Sequence, residues 1–550
     1  MRNLTLVAIL LFVFGIDFRG QSQNTVGLIQ NDPGSFQDGY FIFSPVASHK
    51  TYLVDHCGSV GKSWDIPNNP GLSGYLGQDG FLYVTGSLTN TNFVAGGRGG
   101  VIHKQDWNGN VLWSYTISDS LQCQHHDILP LENGNILLFA WDLKTKPQAM
   151  ARGRNPSQCA QTLFSEKIME IQPVGTNEAN IVWEWKLWDH LIQDFDNTKP
   201  NFGVVADNPH LVDINFKAFA SNSDWIHLNS IDYNPVLNQI MVSVHAFNEI
   251  WIIDKSTTTE EAAGHVGGNS GKGGDLLYRW GNPASYGHGT SSVFYGQHNA
   301  HWIKPGLPFE NQIMVFNNGL GHPGTPFSTV EIINPPVLGY NYDQTLPYLP
   351  ANQSWVYNRN NEKNWYSINV GSAQMLPNGH VFVTDGAAGR FFEIDTLGNQ
   401  YWAYVNPDAK IGILEQDSTP TLNQLFSSIL YPSDFPGFAG HALVSQGIIE
   451  NRNSLSDTCI LYNGINSPII DATPFIVYPN PGNGYYQIDF KSRSEASVEV
   501  YDLQGKKVAQ LEKAYGQLAL PLTLNSSSPG CYMVKIQMGE KLYHQRVILE

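Results

Sequence analysis

Three histidines stand out by position. His126, His227 and His298 each open the first strand of a short hairpin, within Gln124-His-His-Asp127, Asp224-Trp-Ile-His-Leu-Asn-Ser230 and Gly296-Gln-His-Asn-Ala-His-Trp302. If the hairpins are repeated units, matching positions would bring the three rings to one spot. Converging imidazoles act as acid, base or nucleophile, or bind a metal, and a His-only zinc site is one such arrangement. Asp, Asn or Ser follows each of them and suits hydrogen bonding of an oxyanion. The chain has 17 histidines although only 14% of its residues are charged, so imidazole is plentiful relative to other titratable groups. No His-Glu-x-x-His, Gly-x-Ser-x-Gly elbow or P-loop is present, which removes metallopeptidase, serine hydrolase and nucleotide chemistry of those types. No metal-ligand set is assigned from the spacing.

The elements that must position these residues repeat. Six apolar segments end in Trp64, Trp113, Trp183, Trp280, Trp355 and Trp402. Most follow a strand closing on an acidic or turn residue, as at Tyr52-Leu-Val-Asp55 and Ile250-Trp-Ile-Ile-Asp254, and Gly109-Asn110 and Gly398-Asn399 read as hairpin turns between the two. A second hairpin accompanies most units, clearest over residues 126–139 and 373–383. Two hairpins make a four-stranded sheet, and about six in tandem predict an all-β, six-bladed β-propeller over residues 23–470, whose innermost strands line a channel. A pair of β-sandwiches is the alternative. The wide gaps between Trp113, Trp183 and Trp280 hold long loops, which in compact domains are usually functional. Residues 184–200 carry a helical apolar pattern, and residues 258–275 read as a Gly-rich loop.

The chain of 550 residues is long enough for two or more domains. Its net charge of −17 repels phosphate and anionic lipid, so neither nucleic acid nor a membrane surface is an expected partner. Residues 1–22 read as a signal peptide, with Arg2 before an apolar run from Leu4 to Phe14. No later stretch is apolar for long enough to span a bilayer. Five cysteines at 57, 123, 159, 459 and 531 form no C-x-x-C pair. Export permits disulfides, and Cys57 with Cys459 and Cys123 with Cys159 are the expected pairings. Cys531 reads as a small core residue.

Residues 475–550 form a separate unit of about six short alternating strands, hence a small β-sandwich. It resembles the C-terminal sorting domain of the type IX secretion system, on Tyr478-Pro-Asn-Pro481, Val500-Tyr-Asp-Leu503 with Gly505, Pro529-Gly530, and Tyr532 with Val534-Lys-Ile536. The resemblance implies export across the outer membrane, with the type IX machinery as partner.

The region from about 24 to 470 resembles the aryl-sulfate sulfotransferase family, a six-bladed propeller that needs no nucleotide sulfate donor. The residues that carry it are His125-His-Asp-Ile128, Trp188-Asp-His-Leu-Ile-Gln-Asp194, Asp224 to Ser230, Phe247-Asn-Glu-Ile-Trp-Ile-Ile-Asp254, Gly281-Asn-Pro283, Gln297-His298 and Phe316-Asn-Asn-Gly319. It implies no cofactor. A channel His would attack an aryl sulfate, release the phenol, and pass the sulfuryl group to an acceptor phenol. His227 and His298 would contact the sulfate, and His126 would be a further channel residue. Asn229, Gln297, Asn318, Gln374 and His322 complete the expected substrate-binding set. Gln374 opens the equivalent strand of the fifth blade. His322 stands where related sequences place an Arg clamp, and a neutral imidazole grips an anion less strongly than a guanidinium. The alternatives are a propeller that binds a sulfated, phenolic or glycan ligand without turnover, and a structural surface protein.

Overall fold

The computed structural model describes residues 24–32, 35–358, 365–451, 475–478, 482–491, 493–502, 506–524, 528–539 and 541–549. The expected signal peptide at residues 1–22 and Cys459 lie outside these. The chain divides into two units at Cys459 and Ile460.

Among the described residues the first unit is built on six antiparallel sheets of four or five strands, with three two-stranded pairs in the connections. Blade 1 runs Asn69–Leu76, Leu82–Ser87, Gly100–Gln105, Val111–Thr116 from the channel outward. Blade 2 is Gln122–Pro130, Ile136–Thr145, Thr162–Val174, Glu178–Lys186, and blade 3 is Leu228–Asn234, Gln239–Val244, Glu249–Asp254, Leu276–Trp280. Blade 4 is His298–Trp302, Ile313–Asn317, Thr329–Ile333, Trp355–Tyr357. Blade 5 is Ser372–Met375, Val381–Asp385, Arg390–Ile394, Gln400–Val405, with Gly27–Asn31 added at its outer edge. Blade 6 closes the ring with strands from two distant parts of the chain. Leu425–Pro432 forms its inner strand and pairs with Gly39–Pro45, followed by Lys50–Asp55 and Val60–Asp65.

The repeated tryptophans lie on the fourth strand counted outward from the channel in every blade, and each indole N–H donates to the following blade. Trp64 reaches the Asp106 carbonyl at 3.0 Å, Trp113 the Glu178 carbonyl at 2.8 Å, and Trp183 the Thr257 hydroxyl at 3.1 Å. Trp280 reaches the Pro350 carbonyl at 2.8 Å, Trp355 that of Thr396 at 2.9 Å, and Trp402 that of His56 at 2.7 Å. The amphipathic indole does two jobs here: its ring fills the gap between sheets, and its N–H satisfies a carbonyl or hydroxyl of the next blade.

The inner strands are joined by side chains. Asp127 of blade 2 accepts from Ser73 Oγ at 2.8 Å and Tyr75 Oη at 2.6 Å in blade 1, and from Ile231 N of blade 3 at 3.2 Å. Burial outweighs these bonds and raises its carboxyl to about 6. Asp232 accepts from Trp302 N at 2.8 Å, and Ser230 Oγ from Ala300 N at 3.0 Å, linking blades 3 and 4.

Two expectations fail. Residues 184–200 form no α-helix: the strand Glu178–Lys186 runs into a single 3-10 turn, Leu187–Asp189. Trp183, Trp185 and Leu187 are buried at a spacing of two, and that alternation with strand pairing overrides the helical pattern. Cys123 and Cys159 are free thiols rather than a pair. Each donates to the carbonyl of its next residue at 3.4 Å and packs in a different apolar cluster, Cys123 with Phe93 and Trp141, Cys159 with Ala149 and Leu163. Cys57 is disulfide-bonded.

The second unit is a small sandwich. Phe475–Tyr478, Tyr485–Phe490 and Ala519–Thr523 form one sheet, and Lys507–Lys513, Ala496–Tyr501, Gly530–Met538 and Lys541–Leu549 the other. Alternate residues such as Val498, Val500, Val534 and Ile536 fill the core between them. Of Cys531 only the backbone, in its strand, is described.

Replacing Trp113 or Trp402 by Phe keeps the ring and removes the donor, leaving a carbonyl without its partner. Each is expected to lower the unfolding free energy by about 1 kcal/mol, seen as a lower denaturant midpoint at unchanged slope. The Ala variants are expected to lose about 3–5 kcal/mol.

Candidate active site: an imidazole cluster in the channel

The inner strands of blades 1 to 4 each carry a register irregularity near the same end of the channel. Bulges bend a strand and re-aim its side chains. His126 (φ 49°) and His227 (φ 58°) both adopt left-handed backbone, which is costly for a residue with a Cβ and concentrates at functional sites. Gly97 makes the close packing possible: a Cβ there would lie 1.9 Å from His126 Cε1.

The result is a chain of touching imidazoles. Ring centroids are 4.6 Å apart for His126 and His227, 5.0 Å for His227 and His245, and 5.4 Å for His245 and His298. Phe426 of blade 6 packs on His126 at 5.8 Å and on His298 at 6.3 Å. All three expected histidines therefore meet.

Each ring is held differently. His227 Nδ1–H donates to Asp224 Oδ2 at 2.6 Å. Burial opposes charge on His227, but the carboxylate and hydrogen bond of Asp224, with the field of Glu166, outweigh it and leave its pKa raised. His298 Nδ1–H donates to Asn318 Oδ1 at 2.7 Å. The Asn318 amide is oriented by its own donors, which reach the Ser367 and Val370 carbonyls, so its oxygen must face the imidazole. That leaves the lone pair of His298 on Nε2. Burial pulls the His298 pKa down to about 4 despite the Asn318 bond, and the charge of His227 adds to the fall. His126 and His245 are pushed well below the ordinary range by burial and then by neighbouring imidazoles. His227 is thus the ring whose pKa is raised, while burial favours the uncharged form of His126, His245 and His298.

Behind His126 runs a relay. His125 Nδ1 is 2.9 Å from His126 Nδ1, and His125 Nε2 is 2.9 Å from Glu166 Oε2. With Glu166 ionised, the protons lie so that His126 Nε2 holds a lone pair. With Glu166 protonated, both rings reverse and His126 Nε2 becomes a donor.

Two cavities flank the cluster. One of about 310 Å³ is lined by His227, His245 and Asp224 with Lys217 and Phe219 at its rim. The other, about 520 Å³, is lined by Leu72, Gly96, Gly97 and Arg98. Of the side chains, His227 is 18% exposed, whereas His126 and His298 as residues are 4% and 3% exposed. His227 and His245, both part-exposed, are the two imidazoles that face the smaller cavity.

The expected substrate-binding set divides. Asn318 acts on His298. Asn229 Nδ2 donates to the Gln297 carbonyl at 2.7 Å, and Gln297 Nε2 donates to the Glu249 carbonyl at 2.6 Å, so both brace blades 3 and 4. Gln374 exchanges two hydrogen bonds with the Leu430 backbone and braces blades 5 and 6. His322 lies between Tyr295 and Phe327, its Nδ1–H donating to the Pro323 carbonyl at 2.8 Å, and none of the ring contacts among the described residues joins it to the cluster. Sequence reasoning missed His245, Asp224 as the carboxylate partner, and Glu166. The signal for His245 was its place directly after the second strand of the His227 hairpin, at the same end of the channel.

Residues 25–416 match the model of the arylsulfotransferase (ASST) family, and residues 476–550 that of the secretion-system C-terminal sorting domain. No curated protein matches. Among solved structures, a protein of unknown function from Bacteroides caccae is 10% identical with a TM-score of 0.40, covering 72% of this chain and 99% of its own. The β-propeller domain of Cps50 (Swd1) from Myceliophteria thermophila is 8% identical with a TM-score of 0.31, covering 69% and 90%.

Asp224→Asn removes the charge that holds the His227 proton. The His227 titration seen by NMR is expected to move to lower pH, while His298 titrates near pH 4 in the parent. A pair that raises a His pKa stabilises the fold fully below the unfolded value and loses that contribution as pH rises through the folded one. The Asp224→Asn deficit in stability is therefore expected to be largest at acid pH and to shrink above the raised His227 pKa.

Proposed function

We propose that this chain, which belongs to the arylsulfotransferase family, moves a sulfuryl group from an aryl sulfate to a phenolic acceptor through His227. The observation that carries this reading is the placement of His227: part-exposed, against a cavity, with Nδ1 anchored on the Asp224 carboxylate at 2.6 Å. Geometry comes first in choosing a nucleophile, and the anchored Nδ1–H leaves Nε2 of the neutral ring as the attacking atom.

The neutral His227 Nε2 forms an N–S bond as the S–O bond to the aryl oxygen breaks, and the phenolate leaves with the electron pair. The sulfated ring carries positive charge, which the Asp224 carboxylate stabilises. An acceptor phenol loses its proton to solvent, its oxygen attacks sulfur, and the S–N bond breaks to restore His227. Lys217 at the rim supplies charge for the sulfate oxygens, and Phe219 an apolar face for the aryl ring. Positioning and charge complementarity carry most of such a transfer, as for phosphoryl groups. The sorting domain places the protein outside the cytoplasm, secreted or on the cell surface. No helix among the described residues is long and apolar enough to cross a membrane.

The test is p-nitrophenyl sulfate turnover with phenol as acceptor and no nucleotide. A stoichiometric burst of nitrophenolate without acceptor, then steady release with it, is expected. Since His227 must lose its proton to attack, the rate is expected to rise through its raised pKa as pH increases. His227→Ala is expected to abolish the burst, and Asp224→Asn to lower the plateau about 10²–10⁴-fold. No burst from a folded protein that still binds aryl sulfate would give the binding reading instead. Two features favour that reading: His322, expected in place of an Arg clamp, packs against Tyr295 and Phe327, and Gln374 is occupied by backbone bonds.

A further inference from the structure

The Trp188-Asp-His190 motif has no part in the channel. His190 is fully buried under Trp185, whose ring lies parallel at 5.5 Å. Its Nδ1 is 2.9 Å from Asp275 Oδ1, and its Nε2 is 2.8 Å from the Ala262 carbonyl oxygen. His265 brings its own Nδ1 to the same carboxylate oxygen at 2.7 Å. His210 places Nε2 3.8 Å from Asp275 Oδ2. One ligand atom each from His190, His265 and Asp275 falls within 4.8 Å of the others. The residues come from two insertions, one between blades 2 and 3 and one inside blade 3.

The geometry of His190, with ligand atoms of His265 and Asp275 within 4.8 Å, bears on what this cluster is for. A carbonyl only accepts, so Nε2 carries a proton. Nδ1 then either carries a second proton, giving an imidazolium with no exposed surface, or presents a lone pair to a carboxylate oxygen. The second arrangement requires a proton on the carboxyl or a cation between the two atoms. A ring nitrogen fixed by a backbone carbonyl, with the other free to ligate, is the usual outer arrangement of a metal-bound histidine. The backbone closes tightly on this nitrogen: a Cβ at Gly274 would lie 2.0 Å from the Ala262 oxygen and 2.7 Å from His190 Nε2. His265, 59% exposed, gives the ion a way in from solvent.

We propose that His190, His265 and Asp275 bind a divalent ion of the zinc class and fasten the two insertions to each other. Two imidazoles and one carboxylate, with room for a fourth ligand, match the donor set and coordination zinc prefers. The insertion that supplies His190 and His210 continues to Lys217 and Asp224 at the cavity beside His227. The site does not depend on the sulfotransferase reading.

The full chain, stripped with chelator and reloaded, is expected to retain an equimolar amount of zinc by atomic emission and to melt higher with zinc than with chelator. His265→Ala alters an exposed side chain and is expected to weaken zinc binding more than about 100-fold, beyond the loss usual for an outer partner. His227→Ala is expected to keep the zinc. Absence of retained zinc, with melting indifferent to zinc and chelator, overturns the proposal. So does equimolar zinc in His265→Ala, which would place the ion elsewhere.

Discussion

The ring rests on one repeated contact: an indole N–H from the outer strand of each blade held by the next blade. Four-stranded sheets have no hydrogen bonds of their own to offer sideways, so neighbouring blades must be set by side chains. The indole sets both distance and rotation, because its ring needs contact and its N–H needs an acceptor in one direction. Six such contacts aim the inner strands at one axis. The imidazole cluster exists only because that aim is kept.

Within the channel the balance of burial against charge separates rings of the same chemical type. His298 and His126 lose the contest with desolvation and stay neutral, whereas the Asp224 carboxylate lets His227 win it. Buried neutral imidazoles also limit the repulsion that several charged rings at 5 Å spacing would create. The relay through His125 ties the tautomer of His126 to the proton on Glu166, a residue two strands away in the same blade. Strained backbone at His126 and His227 is the cost of bringing the rings together.

Much of this was legible in the sequence because it repeats. Six tryptophans and their paired hairpins gave the propeller, and three histidines at matching positions gave the centre of the site. Roles that depend on a partner from another blade were not legible. Asn229, Gln297 and Gln374 look like ligand-binding amides in isolation, yet each spends its donors on a backbone carbonyl next door. Cys123 and Cys159 lie near enough in sequence to suggest a bridge, but the strand between them carries them into separate cores. The helical reading of residues 184–200 failed for a similar reason: an edge strand can tolerate a mixed pattern when its neighbour supplies the pairing. His190 shows the opposite case, a residue whose motif was visible but whose partners, Asp275 and Ala262, are supplied by a distant loop.

The closing strand Leu425–Pro432 pairs with Gly39–Pro45, so the last blade unites segments almost four hundred residues apart in order of synthesis. Without that strand the ring lacks only the innermost strand of blade 6, whose other three strands precede blade 1 in the chain. Phe426, which packs on His126 and His298, arrives with that same strand. The packing around the imidazole cluster is therefore complete only once the closing strand is in place.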